Sequence, residues 1–121
     1  MNSLISPSLD FIAGFFSTGA TFMWVKQKNL KVPVFQIKMQ ISDRDLLETV
    51  KLKLGLKEKI YEYKYKNTNY LLLLVRKRSS IENVIIPTFD GRLFGNKAIQ
   101  FENWKNKYYQ EKLNFVYKHY R

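Results

Sequence analysis

Lys26, Lys28, Lys38, Lys64, Lys66, Arg76 and Lys77 lie in or beside stretches whose residues alternate along the chain. Cations spaced this way on a twisted antiparallel sheet can neutralise phosphates along a nucleic-acid groove. Taken singly, each lysine has a plainer use as a solvated strand charge or as protection for an exposed edge. Taken together with a formal net charge of +11 and a pI near 9.9, they point to an anionic partner. Nucleic acid comes first and an anionic membrane surface second. Lys105, Lys107, Lys112, Lys118 and Arg121 follow Trp104 and form a second basic group. Its ordinary counterpart is a solvated helix face.

Catalytic chemistry is much harder to assemble. The chain has no cysteine, so a thiolate nucleophile, a thiolate metal site and a disulfide framework are all excluded. The single histidine, His119, stands near the end of the sequence and reads as a solvated tail residue rather than a ligand. No glycine-rich phosphate loop is present. Asp43 and Asp45 read as helix-start carboxylates, because residues two apart on a helix do not face each other. Between Asp10 and Asp43 there is no acid at all, a gap of 32 residues.

The elements that must carry these residues follow from local patterning. Hydrophobic residues make up 45% and aromatics 16% of 121 residues, enough for one domain with a real core and too many for a disordered chain. No apolar run approaches the roughly 20 residues that cross a bilayer. The longest, 71–75, is strand-sized. Ser6, Pro7 and Ser8 offer a helix start, with Asp10 favourable to the dipole, and a helix is predicted over 9–17, stopping before Gly19. Residues 21–28 and 34–41 alternate and predict a hairpin around the polar turn at 27–33. In the first of these strands Phe22, Trp24 and Lys26 share one face. The Ser42-Asp43-Arg44-Asp45 stretch starts a helix carrying Leu46, Leu47, Val50 and Leu54, with Gly55 after its end. Residues 59–66 and 70–77 predict a second hairpin around Asn67-Thr68-Asn69. In it Tyr61, Tyr63 and Tyr65 share one face, while Glu62, Lys64 and Lys66 share the other. The tyrosines read as core or half-buried strand residues rather than as platforms for stacked bases. Ser79 or Ser80 begins a short helix that Pro87 ends, and residues 96–117 predict one or two further helices carrying Ile99, Phe101, Trp104, Tyr108 and Leu113. The fold class is α+β, in the order αββαββα, with an antiparallel sheet, a single domain over 1–121 and a basic helical tail over about 105–121.

Residues 11–22, Phe-Ile-Ala-Gly-Phe-Phe-Ser-Thr-Gly-Ala-Thr-Phe, say more than their neighbours. They resemble the signature helix of the LAGLIDADG homing endonucleases, in single-motif form and with its acids removed. Ile12, Ala13, Gly14, Phe15 and Phe16 fit the apolar and small positions. Ser17 stands at the first acid, Gly19 at the second and Ala20 at the closing glycine. The stretch from Phe35 to Gly55 and the segment from Ile85 through Trp104 resemble the family's second strand with its helix and its closing segment. The resemblance implies several things beyond the fold. Gly19 occupies the position of the metal-ligand acid. Met39 occupies a polar position that orients water; Gln40 is adjacent but belongs to the opposite sheet face unless a bulge intervenes. Lys97 retains a basic residue that stabilises phosphate charge. Ala13 and Gly14 allow close helix–helix packing, which with one signature helix implies a homodimer, or another protein in place of the second copy.

The expected function is therefore nucleic-acid binding by a domain that has lost cutting, with no catalytic set, no metal and no cofactor. RNA in a ribonucleoprotein, such as an organellar ribosome or an intron, is the expected partner. The alternative is a homodimeric Mg²⁺-dependent endonuclease that cuts duplex DNA. A third reading is a scaffold whose charge reflects genome composition alone. A bias toward Lys, Asn, Ile, Phe and Tyr matches AT-rich genomes and points to a mitochondrion or other organelle. The first sixteen residues contain no Lys or Arg and do not read as a targeting segment. No membrane partner is expected.

Overall fold

The computed structural model describes residues 7–119, with side chains described through Leu113. Ser6 and Arg121 lie outside the described residues, as do the side chains of Lys118 and His119. The element order is α1 (Leu9–Phe16), β1 (Ala20–Gln27), β2 (Leu30–Gln40), α2 (Arg44–Leu54), β3 (Ile60–Tyr65), β4 (Thr68–Val75), α3 (Arg78–Ser80), α4 (Ile86–Phe89) and α5 (Gly95–His119). A 3₁₀ turn over Ile41–Asp43 leads into α2, and a π-helical stretch over Ile81–Ile85 joins α3 to α4. The four strands form one antiparallel sheet in the order β1-β2-β4-β3, so β1 and β3 are its edges.

Local chemistry explains most boundaries. The Ser8 hydroxyl oxygen accepts from the Phe11 N–H at 3.1 Å and caps α1. Gly55, with φ +73°, closes α2 in a left-handed conformation that costs a glycine little. The hairpin turns are tighter than the sequence implies. Lys28 and Lys66 take positive φ, and strand pairing begins at once with Gln27↔Leu30 and Tyr65↔Thr68. Thr68 and Asn69 are therefore strand residues. Pro33 is also inside β2, beyond the last β4 pair at Phe35↔Val75, where that strand has an open side and a missing N–H costs no ladder bond there. Nor does Pro87 end the helical stretch. It stands in the first turn of α4, just after the π stretch. A proline is tolerated at that position, and the wider preceding turn eases the clash its ring brings.

The helices cover one sheet face and leave the other open. Phe22, Phe35, Phe89, Phe101 and Trp104 pack ring against ring, with Ile12, Ala13, Ile37, Leu47, Leu71, Leu73 and Tyr108 in the same core. Ile99 and Leu113 lie outside it, on the exposed side of the single long α5. Helix α5 also closes the free edge of β1. Lys97 Nζ donates to the Ala20 carbonyl at 2.6 Å, the Phe22 N–H donates to Gln100 Oε1 at 3.4 Å, and Trp104 Nε1 donates to the Met23 carbonyl at 2.9 Å. An edge strand with its polar backbone groups taken up is a poor template for pairing with another chain. Among the described residues, no helix is long and apolar enough to cross a membrane.

Candidate nucleic-acid interface

The end of α1 meets the sheet at a small cleft of about 250 Å³ lined by Phe15, Phe16, Thr18, Gly19, Ile37, Lys38, Met39, Gln40 and Asp43. Gly19 is pressed against β2: its carbonyl accepts from the Lys38 N–H at 3.3 Å, and a β-carbon built on it would lie 3.0 Å from the Lys38 carbonyl oxygen. Met39 turns toward the core, and the register runs unbroken to Gln40↔Tyr70. No bulge brings Gln40 round; the alternation puts it on the open face with Lys38. The side-chain oxygens at this corner are the Thr18 hydroxyl, the Gln40 amide and the single Asp43 carboxylate, beside the Gly19 carbonyl. Mg²⁺ asks for near-octahedral oxygen ligands, usually anchored by carboxylates, and this set does not fit it. Among the described residues no group of three or more acids or histidines comes together.

Lys97 belongs to a neighbouring cleft of about 460 Å³, with Asp10, Gly14, Ser17, Gly91, Arg92, Leu93 and Phe94. Its ammonium is held by the Ala20 carbonyl and by Gln100 Oε1 at 3.2 Å. Arg92, which no sequence pattern singles out, organises this corner. It donates to Asp10 at 2.8 Å and to the carbonyls of Pro87 and Thr88 at 3.0 and 3.2 Å, tying the start of α1 to the last turn of α4. A lone arginine just past a helix end is too common a pattern to reveal the contact.

The small pair in α1 is split. Ala13 is fully buried in this domain's own core, while Gly14 is on the open side of the helix, where an added β-carbon would meet nothing within 4 Å. Phe11 and Phe15 flank it, 48% and 37% exposed, with their rings stacked 5.8 Å apart. The exposed side of α1 therefore carries two aromatic rings beside Gly14, which also lines the cleft of Asp10, Ser17, Arg92 and Lys97.

The cations do not share one surface. The pairings Lys38↔Leu72, Gln40↔Tyr70 and Tyr61↔Leu72 put Lys38 on the open face together with Tyr61, Tyr63, Tyr65 and Tyr70. Glu62 and Lys64 alternate to the helix-covered side, where Arg44 of α2 donates to Glu62 at 2.8 Å. Lys64 is therefore not a companion of Lys38. Lys26 shares the side of Trp24, and Lys28 and Lys66 sit in the two hairpin turns. Arg76 and Lys77 line a broad cleft of about 660 Å³ with Lys57, Glu58, Lys59, Tyr61, Tyr63, Leu74 and Ser80. The tyrosines, expected to be core or half-buried strand residues, stand on the open face because the helices pack on the other one.

The second basic group is also largely engaged. Lys105 donates to Asp90 at 2.9 Å and to Glu102, and the Asp90 bond raises its pKa above the usual lysine value against the opposing effect of burial. Lys107 lies 4.9 Å from the Trp24 ring centre. Lys112 pairs with Glu82, whose carboxyl that bond, with one from the Tyr108 hydroxyl, holds below its usual pKa. These side chains fasten α5 to the rest of the domain.

Comparison with known proteins agrees with this architecture. The family model described as LAGLIDADG endonuclease matches residues 12–108. Among solved structures, the I-LtrWI LAGLIDADG homing endonuclease bound to target DNA is 26% identical, with a TM-score of 0.72 over 88% of this chain and 38% of its own. The meganuclease I-SmaMI bound to uncleaveable DNA with a TTCT central four is 26% identical, with a TM-score of 0.68 over 83% of this chain and 36% of its own. I-SmaMI bound to an uncleaved DNA target in the presence of calcium ions gives the same figures, 26%, 0.68, 83% and 36%. This chain thus spans a little over a third of the length of those nucleases. No match is found among curated proteins. A family model matched from Ile12 in the signature helix to Tyr108 in α5, together with a four-stranded antiparallel sheet covered by helices on one face, places the chain in the LAGLIDADG endonuclease family.

Proposed function

We propose that this domain binds nucleic acid through the open face of its sheet and does not cut it. The observation that carries the loss of cutting is Gly19 after the signature helix, packed so close to Lys38 that a side chain there has little room. Met39 turned into the core adds to it. Binding is supported by the charge of +11, by Lys38 and Arg76 at the open face, and by the DNA-bound state of the related I-LtrWI and I-SmaMI structures. RNA is the proposed partner, in a ribonucleoprotein such as a mitochondrial or other organellar ribosome, or an intron. A basic fold freed from a metal site needs only phosphates and bases to grip. The function requires no cofactor. The exposed Phe11 and Phe15 rings beside Gly14 give a second copy, or another protein, a place to pack.

The test is direct. Purified protein with Mg²⁺ or Mn²⁺ is incubated with duplex DNA carrying the sites that flank its own gene, and binding to duplex DNA and structured RNA is titrated against salt. The expected result is binding without cutting, with log affinity falling by about 0.7–0.9 per neutralised phosphate for each decade of salt. Metal-dependent cuts at defined sites that disappear in Asp43→Asn would overturn the non-cutting reading. Affinity that ignores salt would overturn the nucleic-acid reading.

A further inference from the structure

The open face is more aromatic than a surface built only to track phosphates. Tyr61, Tyr63 and Tyr65 are 45%, 42% and 65% exposed on edge strand β3. Tyr63 stacks on Tyr70 of β4 with ring centres 5.6 Å apart and planes 22° from parallel, and Tyr61 lies 6.4 Å from Tyr63. Cations border the row. Lys38 Nζ lies 4.3 Å from the Tyr70 ring centre, Lys59 Nζ 5.4 Å from Tyr61 and Lys66 Nζ 5.5 Å from Tyr65. Leu74 and Arg76 continue the surface into the cleft beside Tyr61 and Tyr63. Exposed rings in a row cost solvation on an ordinary strand edge, and several solvated polar residues would protect that edge as well.

We infer that this row is a stacking platform for unpaired nucleotides. Resting on the nucleic-acid reading above, the inference names the form of the ligand: a single-stranded stretch of RNA or DNA rather than a continuous duplex. In a duplex the flat faces of the bases are covered by their neighbours, so tyrosine rings have nothing to stack on. In a loop, bulge or free strand the bases splay out and lie on aromatic faces while the backbone runs along the cations. Lys38, Lys59, Lys66 and Arg76 stand where that backbone passes. The cleft also contains an acceptor without a donor. Both carboxylate oxygens of Glu58 are shielded from solvent and hydrogen-bond to nothing, so a base amino group or a ribose hydroxyl entering there satisfies a group that folding leaves unpaired.

The experiment measures affinity of the full chain, by fluorescence anisotropy, for a labelled mixed-sequence single strand as RNA and as DNA, and for the duplex of the same sequence. The variants are Tyr61→Ala with Tyr63→Ala, the matching pair of Phe substitutions, and Tyr65→Ala, which removes the most exposed ring. Single strands are expected to bind more tightly than duplex. Each lost ring is expected to weaken single-strand binding by about tenfold or more. The Phe pair keeps wild-type affinity, and duplex binding changes little in any variant. Tighter binding of the RNA strand than of the DNA strand identifies RNA as the ligand, and the reverse identifies DNA. If the wild type binds nucleic acid and the Ala variants hold the single strand as well as it does, the platform is refuted while the nucleic-acid function stands. If the wild type binds neither form, both fail. Tyr65→Ala keeps the test decisive if the double variant unfolds.

Discussion

Gly19 and Lys38 meet backbone to backbone: a β-carbon on Gly19 would lie 3.0 Å from the Lys38 carbonyl oxygen. The position that the resemblance assigns to an acid therefore leaves a side chain little room unless β2 gives way by a few tenths of an ångström. Gly19→Asp is expected not to create cutting activity and to lower stability. Pushing β2 aside costs on the order of 1–3 kcal/mol, read as a fall of several degrees in Tm. Gly19→Ala is expected to show most of the same loss, since the clash begins at the β-carbon. An unchanged Tm for both variants would show that β2 yields freely.

Lys38 and Lys64 offer a test of which face binds. They lie on opposite sides of the sheet, Lys38 over Tyr70 and Lys64 on the side of the Arg44–Glu62 pair. Lys38→Glu is expected to weaken nucleic-acid binding and to reduce the salt slope by about 1. Lys64→Glu is expected to do much less. Equal losses from the two, measured across a salt series, would mean that the ligand lies along the β3 edge and contacts both sides.

Replacement of Gly14 separates folding from association. Its side-chain direction is open within the chain, and a helix-interior glycine is unfavourable. Gly14→Leu is expected to leave the isolated domain as stable or to stabilise it by up to about 0.5–1 kcal/mol. If another copy packs on α1, the same change removes the close approach and sedimentation velocity shows a shift to monomer. A large fall in Tm at a concentration where the wild type is monomeric would show that Gly14 is packed.

Tyr108 predicts an alkaline limb of stability. Burial first, and then its bond to the Glu82 carboxylate, push its pKa up to about 12 from an ordinary value near 10. Between those values the unfolded chain has released the proton and the native chain still holds it. Stability therefore falls as pH rises through this window, and the contribution is complete below it. Tyr108→Phe is expected to be less stable at neutral pH, because the hydroxyl–carboxylate bond is lost, and to show a shallower decline in Tm above pH 10. Parallel Tm curves for the two proteins would show that the hydroxyl titrates normally. The depressed pKa of Glu82 acts at the other end: its contribution is present above the ordinary carboxylate range and is lost as pH falls through its lowered value.

Much of this protein is legible along the chain. Ser8 ahead of an apolar turn, Gly55 after a helical repeat and two alternating pairs of strands are local signals, and each produces the expected element. The absence of acid around Gly19 is legible for the same reason, since an absent residue type needs no geometry. A period of two also tells that Tyr61, Tyr63 and Tyr65 share one face and Lys64 another. It cannot tell which face the helices cover, because that depends on how Phe22, Phe35, Phe89 and Phe101 come together from four separate elements. Tertiary packing alone decides that the tyrosines stand in the open, that Ala13 points inward while Gly14 does not, and that Lys97 reaches back 77 residues to hold the Ala20 carbonyl. Neighbours along the chain fix conformation, whereas burial is settled between elements distant in sequence, and the proposed binding surface is what that packing leaves uncovered.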